Sequence, residues 1–340
     1  MTWFGLAVSA GFAFLAVRDV DPGALRFALA RADYWLLVPA SVVLALAILV
    51  RILRWQVLFP PAHRPRFAAV ASALLIGHFF NNVLPARAGE AVRVVVLNQR
   101  VGTSRFEALG TVVAERVLDV LALLLIFFSV APALPRTDWL PRALWAGALL
   151  FALLAVSLAA FALRGEQPAR LLLRPLALLP GVSTDRTRLA ASNLLYGFGF
   201  LRRPHAALGA SALTVLSWLL IAFAFWLCMV AFHLGAGFEA GLLVVVAVNL
   251  AIIIPSGPAA IGVFEAATLI ALFAFGIDRS IGLSYAVVLH ALNVLPFIVV
   301  GYVAFHYHAR AVRRDGGRHG VDAADASEAL NRPGEGAELT

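Results

Sequence analysis

Lysine is absent from this chain, cysteine occurs once and methionine twice in 340 residues. With a single thiol, Cys228, no intramolecular disulfide and no cysteine-based metal site can form. Cys228 falls inside an apolar run, where packing accounts for it. Charge is also scarce. Charged residues make up 14% of the sequence, against about 25% in a soluble domain, and that excludes an ordinary water-soluble fold. The net charge of +8 is carried by arginine alone. The arginines gather at the ends of apolar segments, which fits an anionic membrane face rather than nucleic acid. No P-loop is present to hydrolyse ATP, and no His-Glu-x-x-His suggests a metalloprotease. No cofactor is expected.

What the chain has in abundance is apolar length: 62% of its residues are hydrophobic. Several runs approach or exceed the roughly 20 residues that cross a bilayer. They are continuous rather than alternating, which argues for helices and against a β-barrel. The expected fold is an all-α, polytopic membrane bundle over residues 1–308. Six spans are expected at 1–17, 34–50, 108–130, 144–163, 206–232 and 283–305. No basic n-region precedes the first, so it reads as a span rather than a cleaved signal. Tyr34, Trp35 and Trp55 read as interfacial anchors, and Arg51 and Arg54 as the close of the second span. Residues 18–33 read as a loop, with Pro22-Gly23 as a turn. Residues 164–204 form a basic amphipathic connector, and 309–340 a disordered tail.

Two regions interrupt the pattern. In 67–100, an apolar arm ends at Asn81-Asn82-x-x-Pro85, because a proline disfavours helix at the residue before it. The next arm carries Arg87, Glu90, Arg93 and Arg100 and is too polar for a lipid-facing span. In 242–275, Asn249 and Pro255-Ser256-Gly257-Pro258 break a second apolar stretch before Gly262 and Glu265. Both read as broken, re-entrant hairpins, which require cover by protein or a water-filled cavity; for 242–275, two short spans remain the alternative. With 67–100 returning to its own side, every arginine-rich loop falls in the cytoplasm, as do both termini. The halves 34–130 and 206–305 then repeat one order from opposite faces. Aligning Gly102 with Gly276 sets Arg116 opposite His290 and Asp119 opposite Asn293. Paired interrupted segments of this kind point to a transporter's substrate site.

The chemistry gathers at those breaks. Ionisable groups inside a membrane are costly and mark function by default. Arg87, Arg93 and Arg116 suit phosphate oxygens. The helices expected after Pro85 and Pro258 would turn free N–H groups toward an anion. Glu90 and Glu265 could pair with the arginines, take up protons or meet a cationic headgroup. Glu115, Arg116 and Asp119 share a helical face with Val112, and either line the site or lock two helices together. Asn82, Asn249 and Asn293 serve as interhelical hydrogen-bond partners or site-shaping groups, Pro255–Pro258 as a helix breaker, and His290 as a packed histidine or proton carrier. Gly89, Gly257 and Gly262 shape the breaks.

These residues carry a resemblance. The series Asn82-x-x-Pro85-x-Arg87-x-Gly89-Glu90-x-x-Arg93, Gly102-x-Ser104, Glu115-Arg116-x-x-Asp119, Pro255…Gly262-x-Phe264-Glu265 and Gly276 resembles the lysylphosphatidylglycerol synthase transmembrane-region family over about residues 5–308. The resemblance implies a bacterial or archaeal inner-membrane protein that moves or binds a polar lipid, such as an aminoacylated phospholipid or an isoprenoid-linked sugar. This chain departs from the pattern at Ala259 and Ala260, where glycine is expected, and at His290, where arginine is frequent. The segment after 308 is too short for a transferase domain, so lipid aminoacylation is not expected of this chain. Pro255-Ser256-Gly257 also resembles a lipid-phosphatase block, but Pro258 stands where the nucleophilic histidine belongs. Asp19-x-Asp21 imitates the acidic pair of polyprenol-dependent glycosyltransferases, without external loops large enough for a sugar site. The expected partner is a membrane lipid. The alternative is a non-transporting seat for a lipid-modifying enzyme.

Overall fold

The computed structural model describes residues 2–84, 87–135, 139–164 and 195–331. Among the described residues the chain is helical, with no strand. The helices are α1 (Thr2–Val17), α2 (Pro22–Arg31), α3 (Leu37–Leu58), α4 (Phe67–Val83), α5 (Gly89–Val101), α6 (Arg105–Val130), α7 (Trp139–Arg164), α8 (Pro204–Ala231), α9 (Phe238–Ala251), α10 (Val263–Phe273) and α11 (Arg279–Asn331). Pro85 and most of the basic connector lie outside the described residues.

Four helical segments are long and apolar enough to cross a membrane: Tyr34–Leu58, Leu140–Arg164, Pro204–Ala231 and Arg279–Val312. In three of them most of the apolar stretch is unburied, and Pro204–Ala231 buries half of it. On α7, Trp145, Leu153 and Val156 are 79%, 58% and 67% exposed, a surface that only lipid or a partner could cover. Two expected spans are not in this set. Helix α1 has only 16 residues. Helix α6 has 26 and is apolar enough, but its apolar stretch carries three charged side chains, Glu115, Arg116 and Asp119.

Three segments differ from the sequence reading. The expected loop 18–33 contains α2. Asp21 caps it, accepting a hydrogen bond from the Gly23 N–H at 2.8 Å, and Pro22 occupies the first turn, where a missing N–H costs nothing. Helix α3 does not end at Val50 but runs on to Leu58, which carries Arg51 and Arg54 into the bundle. Trp55 is not an interfacial anchor. It is fully buried and donates its indole N–H to Thr111 Oγ1 at 2.9 Å. At the far end, α11 continues through the polar segment as far as Asn331.

Helices α3 and α8 form the most extensive pair, flanked by α6. Around it, α4 and α5 make an antiparallel hairpin, α4 packs on α11, and α9 and α10 pair beside α6 and α11. Gly89 permits the hairpin. A β-carbon there would collide with the Gly77 carbonyl and the Asn81 backbone, so any larger residue pushes the arms apart. The same close approach brings Asn81 of α4 to Glu90 of α5. Helix α1 lies against α10 and the turn before it. Ser9 Oγ accepts the Gly257 N–H at 2.9 Å. Gly262, with φ of 85°, packs so closely on Ser9 and Ala13 that no side chain fits.

Candidate functional site

Helices α3, α5 and α6 each bring ionisable side chains to one buried point. Arg54 of α3 reaches Glu115 at 2.9 Å and Asp119 at 2.5 Å on α6. Arg93 of α5 reaches Glu90 at 2.7 Å and Glu115 at 3.3 Å. Arg116 reaches Glu90 and Glu115 at 3.1 Å and Asp119 at 3.2 Å. The spacing of α6 makes this possible, since residues three and four apart share a face. Three arginines meet three carboxylates, so the cluster is neutral. Neutral donors complete it: Trp218 Nε1 of α8 donates to Asp119 at 3.0 Å. Trp55 lies 4.7 Å beneath the Arg93 guanidinium, an arrangement that favours a desolvated cation.

The cluster forms one wall of a cavity of about 430 Å³. The opposite wall is the second broken region, Ile252–Gly257 with Ala259 and Ala260, and α4 adds His78, Asn81 and Asn82. Both interrupted regions thus face one space. Arg51 and Arg87 also line it, and neither forms an ion pair among the described residues. Arg51 instead stacks 4.6 Å over Trp218. Since the cluster is balanced, these two arginines leave the cavity with two surplus positive charges. Arg87 is held in a left-handed backbone, φ 54°, a strained conformation of the kind that gathers at functional sites.

A second space of about 860 Å³ adjoins the first. It is walled by apolar side chains of α6, α7, α9 and α10, among them Leu123, Phe127, Leu150 and Ile270. Arg87, Arg116, Trp218, Asn249 and Ile253 line both. The pair therefore joins a polar, cationic end to a long apolar end, with Asp119 also at the apolar side of the junction.

The second half is built differently from the first. Among the described residues Glu265 makes no ion pair with an arginine. Its Oε2 accepts the Gly262 N–H at 2.7 Å and its Oε1 sits 2.5 Å from His290 Nδ1. The N-terminus of α10 is thereby capped from within and does not offer that N–H to an anion, contrary to the expectation for the helix after Pro258. Pro258 itself opens a single 3₁₀ turn, Pro258–Ala260. Asn249 and Asn293 donate to carbonyls one turn back in their own helices, at 2.8 Å each, rather than across helices. Asn249, Asn82, Pro255 and Gly257 line the polar cavity; Gly89, Gly262, Asn293, His290 and Glu265 do not. Of the charged candidates, Arg87, Glu90 and Arg116 face the cavity and Arg93, Glu115 and Asp119 support it from behind.

Ala259 and Ala260 both hold left-handed φ, 53° and 57°. An L side chain pays about 1–2 kcal/mol there, which glycine avoids at the cost of about 0.5–1 kcal/mol in chain entropy. Ala259→Gly is therefore expected to raise stability by about 0.5–1 kcal/mol, seen as a higher melting temperature of the purified protein. A lower melting temperature would show that this turn is not strained.

Sequence reasoning missed Arg51, Arg54, His78 and Trp218. Arg54 is the most deeply buried charge in the cluster, yet its position after an apolar run resembles an interfacial arginine. One signal was available: Arg51, Arg54, Trp55 and Leu58 follow helical spacing, so the helix could continue past Val50 with one polar face.

A helical bundle with outward apolar faces and an internal charged cavity defines a polytopic membrane protein. The chain belongs to the lysylphosphatidylglycerol synthase TM region family, whose model matches residues 2–301. It is thus an integral membrane protein related to lipid handling. No curated protein matches the chain.

Proposed function

We propose that the protein binds a polar lipid and moves it across the cytoplasmic membrane through the cavity between the two broken regions. The observation that carries this reading is the junction of the two spaces. An amphipathic lipid needs a polar pocket for its headgroup continuous with an apolar one for its chains. Here the shared wall of Arg87, Arg116, Trp218, Asn249 and Ile253 joins the two. The surplus charge of Arg51 and Arg87 selects an anionic headgroup, and guanidinium groups match phosphate oxygens. The reading includes six crossings, two broken hairpins entering from opposite faces, an inverted repeat of 34–130 and 206–305, and cytoplasmic termini. The hairpin of α4 with α5 and the broken pair α9 and α10 support the repeat.

The test is transbilayer movement of labelled lipid in vesicles holding the purified protein, with anionic, aminoacylated and isoprenoid-phosphate lipids compared. The expected result is accelerated movement of one class and not of a neutral control lipid. If no class moves while the protein remains folded, the transport reading fails. That outcome would favour the second reading, a membrane seat for a lipid-modifying enzyme. One observation supports that second reading: the central charges neutralise one another, as an interhelical lock requires.

A further inference from the structure

The pair His290 and Glu265 lies apart from the arginine cluster and has no part in holding a headgroup. His290 Nδ1 stands 2.5 Å from Glu265 Oε1, and its Nε2 stands 3.0 Å from the Ala259 carbonyl oxygen. Both neighbours are hydrogen-bond acceptors. A neutral imidazole has one N–H and one lone pair, so it can satisfy only one of them. The arrangement therefore holds an additional proton in the Nδ1–Oε1 contact, whether on the ring or on the carboxyl. The site is sheltered: His290 and Glu265 side chains are 9% and 12% exposed. Phe264 stacks on the imidazole, with ring centroids 4.3 Å apart. Glu265 is held from its other side by the Gly262 N–H.

The second contact matters as much as the first. Through Nε2–H the ring grips Ala259, and Ala259 and Ala260 are the two residues held in left-handed backbone. Both line the polar cavity. The histidine thus clamps a strained cavity wall, and its clamp depends on the proton. Without that proton, the Nδ1 lone pair would face a carboxylate oxygen at 2.5 Å. The repulsion is relieved by turning the ring or shifting the remaining N–H to Nδ1. Either movement removes the donor from Ala259 and lets the strained turn relax. Few other groups interfere. Helix α1 carries no ionisable side chain. Helix α4 offers only His78, engaged with the Leu74 carbonyl at 2.9 Å and with the Phe297 ring. Helix α9 has only Glu239, in its first turn. Helix α2, packed on α11, carries Arg26 and Arg31. Arg51 and Arg87 line the cavity beside Ala259.

We infer that His290 and Glu265 form a proton-binding site that couples protonation to the shape of the lipid cavity. This rests on the transport reading for its biological use, though not for its chemistry. Linkage is reciprocal. A lipid that favours the released wall expels the proton, and a proton favours the clamped wall. A proton gradient then biases which state the cavity adopts.

The experiment reads the wall directly and needs no lipid movement. A cysteine placed at exposed Ile261 (I261C) is labelled with a maleimide, and its rate is divided by that of A62C in the exposed turn between α3 and α4. The native Cys228 is fully buried. In wild-type background the ratio is expected to be about tenfold higher at the alkaline end than at the acid end of a series spanning about pH 5 to about pH 9. In a His290→Ala background, which removes the donor to Ala259, the ratio should be high and flat; in Glu265→Gln, whose amide can donate to the Nδ1 lone pair while Nε2–H keeps Ala259, it should be low and flat. Should those variants misfold, nitrogen-15 NMR of wild-type protein in liposomes serves instead. It should show a proton in the His290 Nδ1–Glu265 contact at the acid end of that range and none at the alkaline end. A wild-type ratio unchanged across the range, or a contact without a proton at the acid end, overturns the inference. If the wall responds to pH but no lipid moves, the transport reading fails and this one stands. If lipid moves while the wall ignores pH, the reverse holds.

Discussion

Arg54→Met is expected to destabilise the protein by about 3–5 kcal/mol, the cost of leaving a buried charge without its partner. Arg54 is fully buried and reaches both Glu115 and Asp119. Its loss leaves two arginines facing three carboxylates, of which Glu115 and Asp119 are buried. The methionine fills most of the volume, so a cavity adds little. The decisive measurement adds Asp119→Asn to the same chain. Two arginines then face two carboxylates, and the asparagine can still accept from Trp218 Nε1, now 3.0 Å from Asp119. The double variant should therefore be more stable than Arg54→Met alone, a non-additivity expected of residues in one network. Melting of the purified protein reads both. Simple addition of the two losses would show that the cluster does not act as a unit. Such a lock at the meeting of α3, α5 and α6 also sets the cavity wall, so it serves either functional reading.

Removing the surplus charge should do the opposite: little to stability and much to binding. Arg51 and Arg87 line the cavity without ion-pair partners among the described residues. Each hydrogen bond to a charged group contributes about 1.5–3 kcal/mol. The variant Arg51→Gln with Arg87→Gln is therefore expected to weaken binding of an anionic lipid by about a hundredfold or more, since about 1.4 kcal/mol is a factor of ten. Its melting temperature should stay level or rise, because two uncompensated positive charges are gone. Binding of a neutral lipid of the same chain length should be unaffected. Titration of the protein in neutral nanodiscs with each lipid separates these outcomes. Equal loss for charged and neutral lipids would mean the arginines shape the cavity rather than select the headgroup. Unchanged anionic binding would remove the cavity from consideration as the headgroup site.

The membrane class, the helical architecture and the existence of two broken regions were legible from composition and local pattern. Apolar length, proline and glycine placement, and the three-and-four spacing along α6 act within a few residues of one another. That range is what a sequence exposes. The Glu90–Arg93 pair, three positions apart, was legible for the same reason. Helix α2 could also have been read, because Asp21 followed by Pro22 is a local start signal that was taken for a turn.

Partnership across the bundle was not legible. Arg54 finds Asp119 from 65 residues away, and nothing near Arg54 in the chain indicates a carboxylate. Whether an arginine at the end of an apolar run faces lipid headgroups or a buried acid depends on what α6 and α8 present to α3. The same holds for Glu265. Its charge suggested the arginines as partners, but the turn at Gly262 aims it at His290 on α11. A chain's own composition decides that charge must be sheltered in a membrane, because an isolated ion there is too costly. Which counter-charge shelters it is decided only when helices pack, because several partners would satisfy the same electrostatic need and only geometry chooses among them.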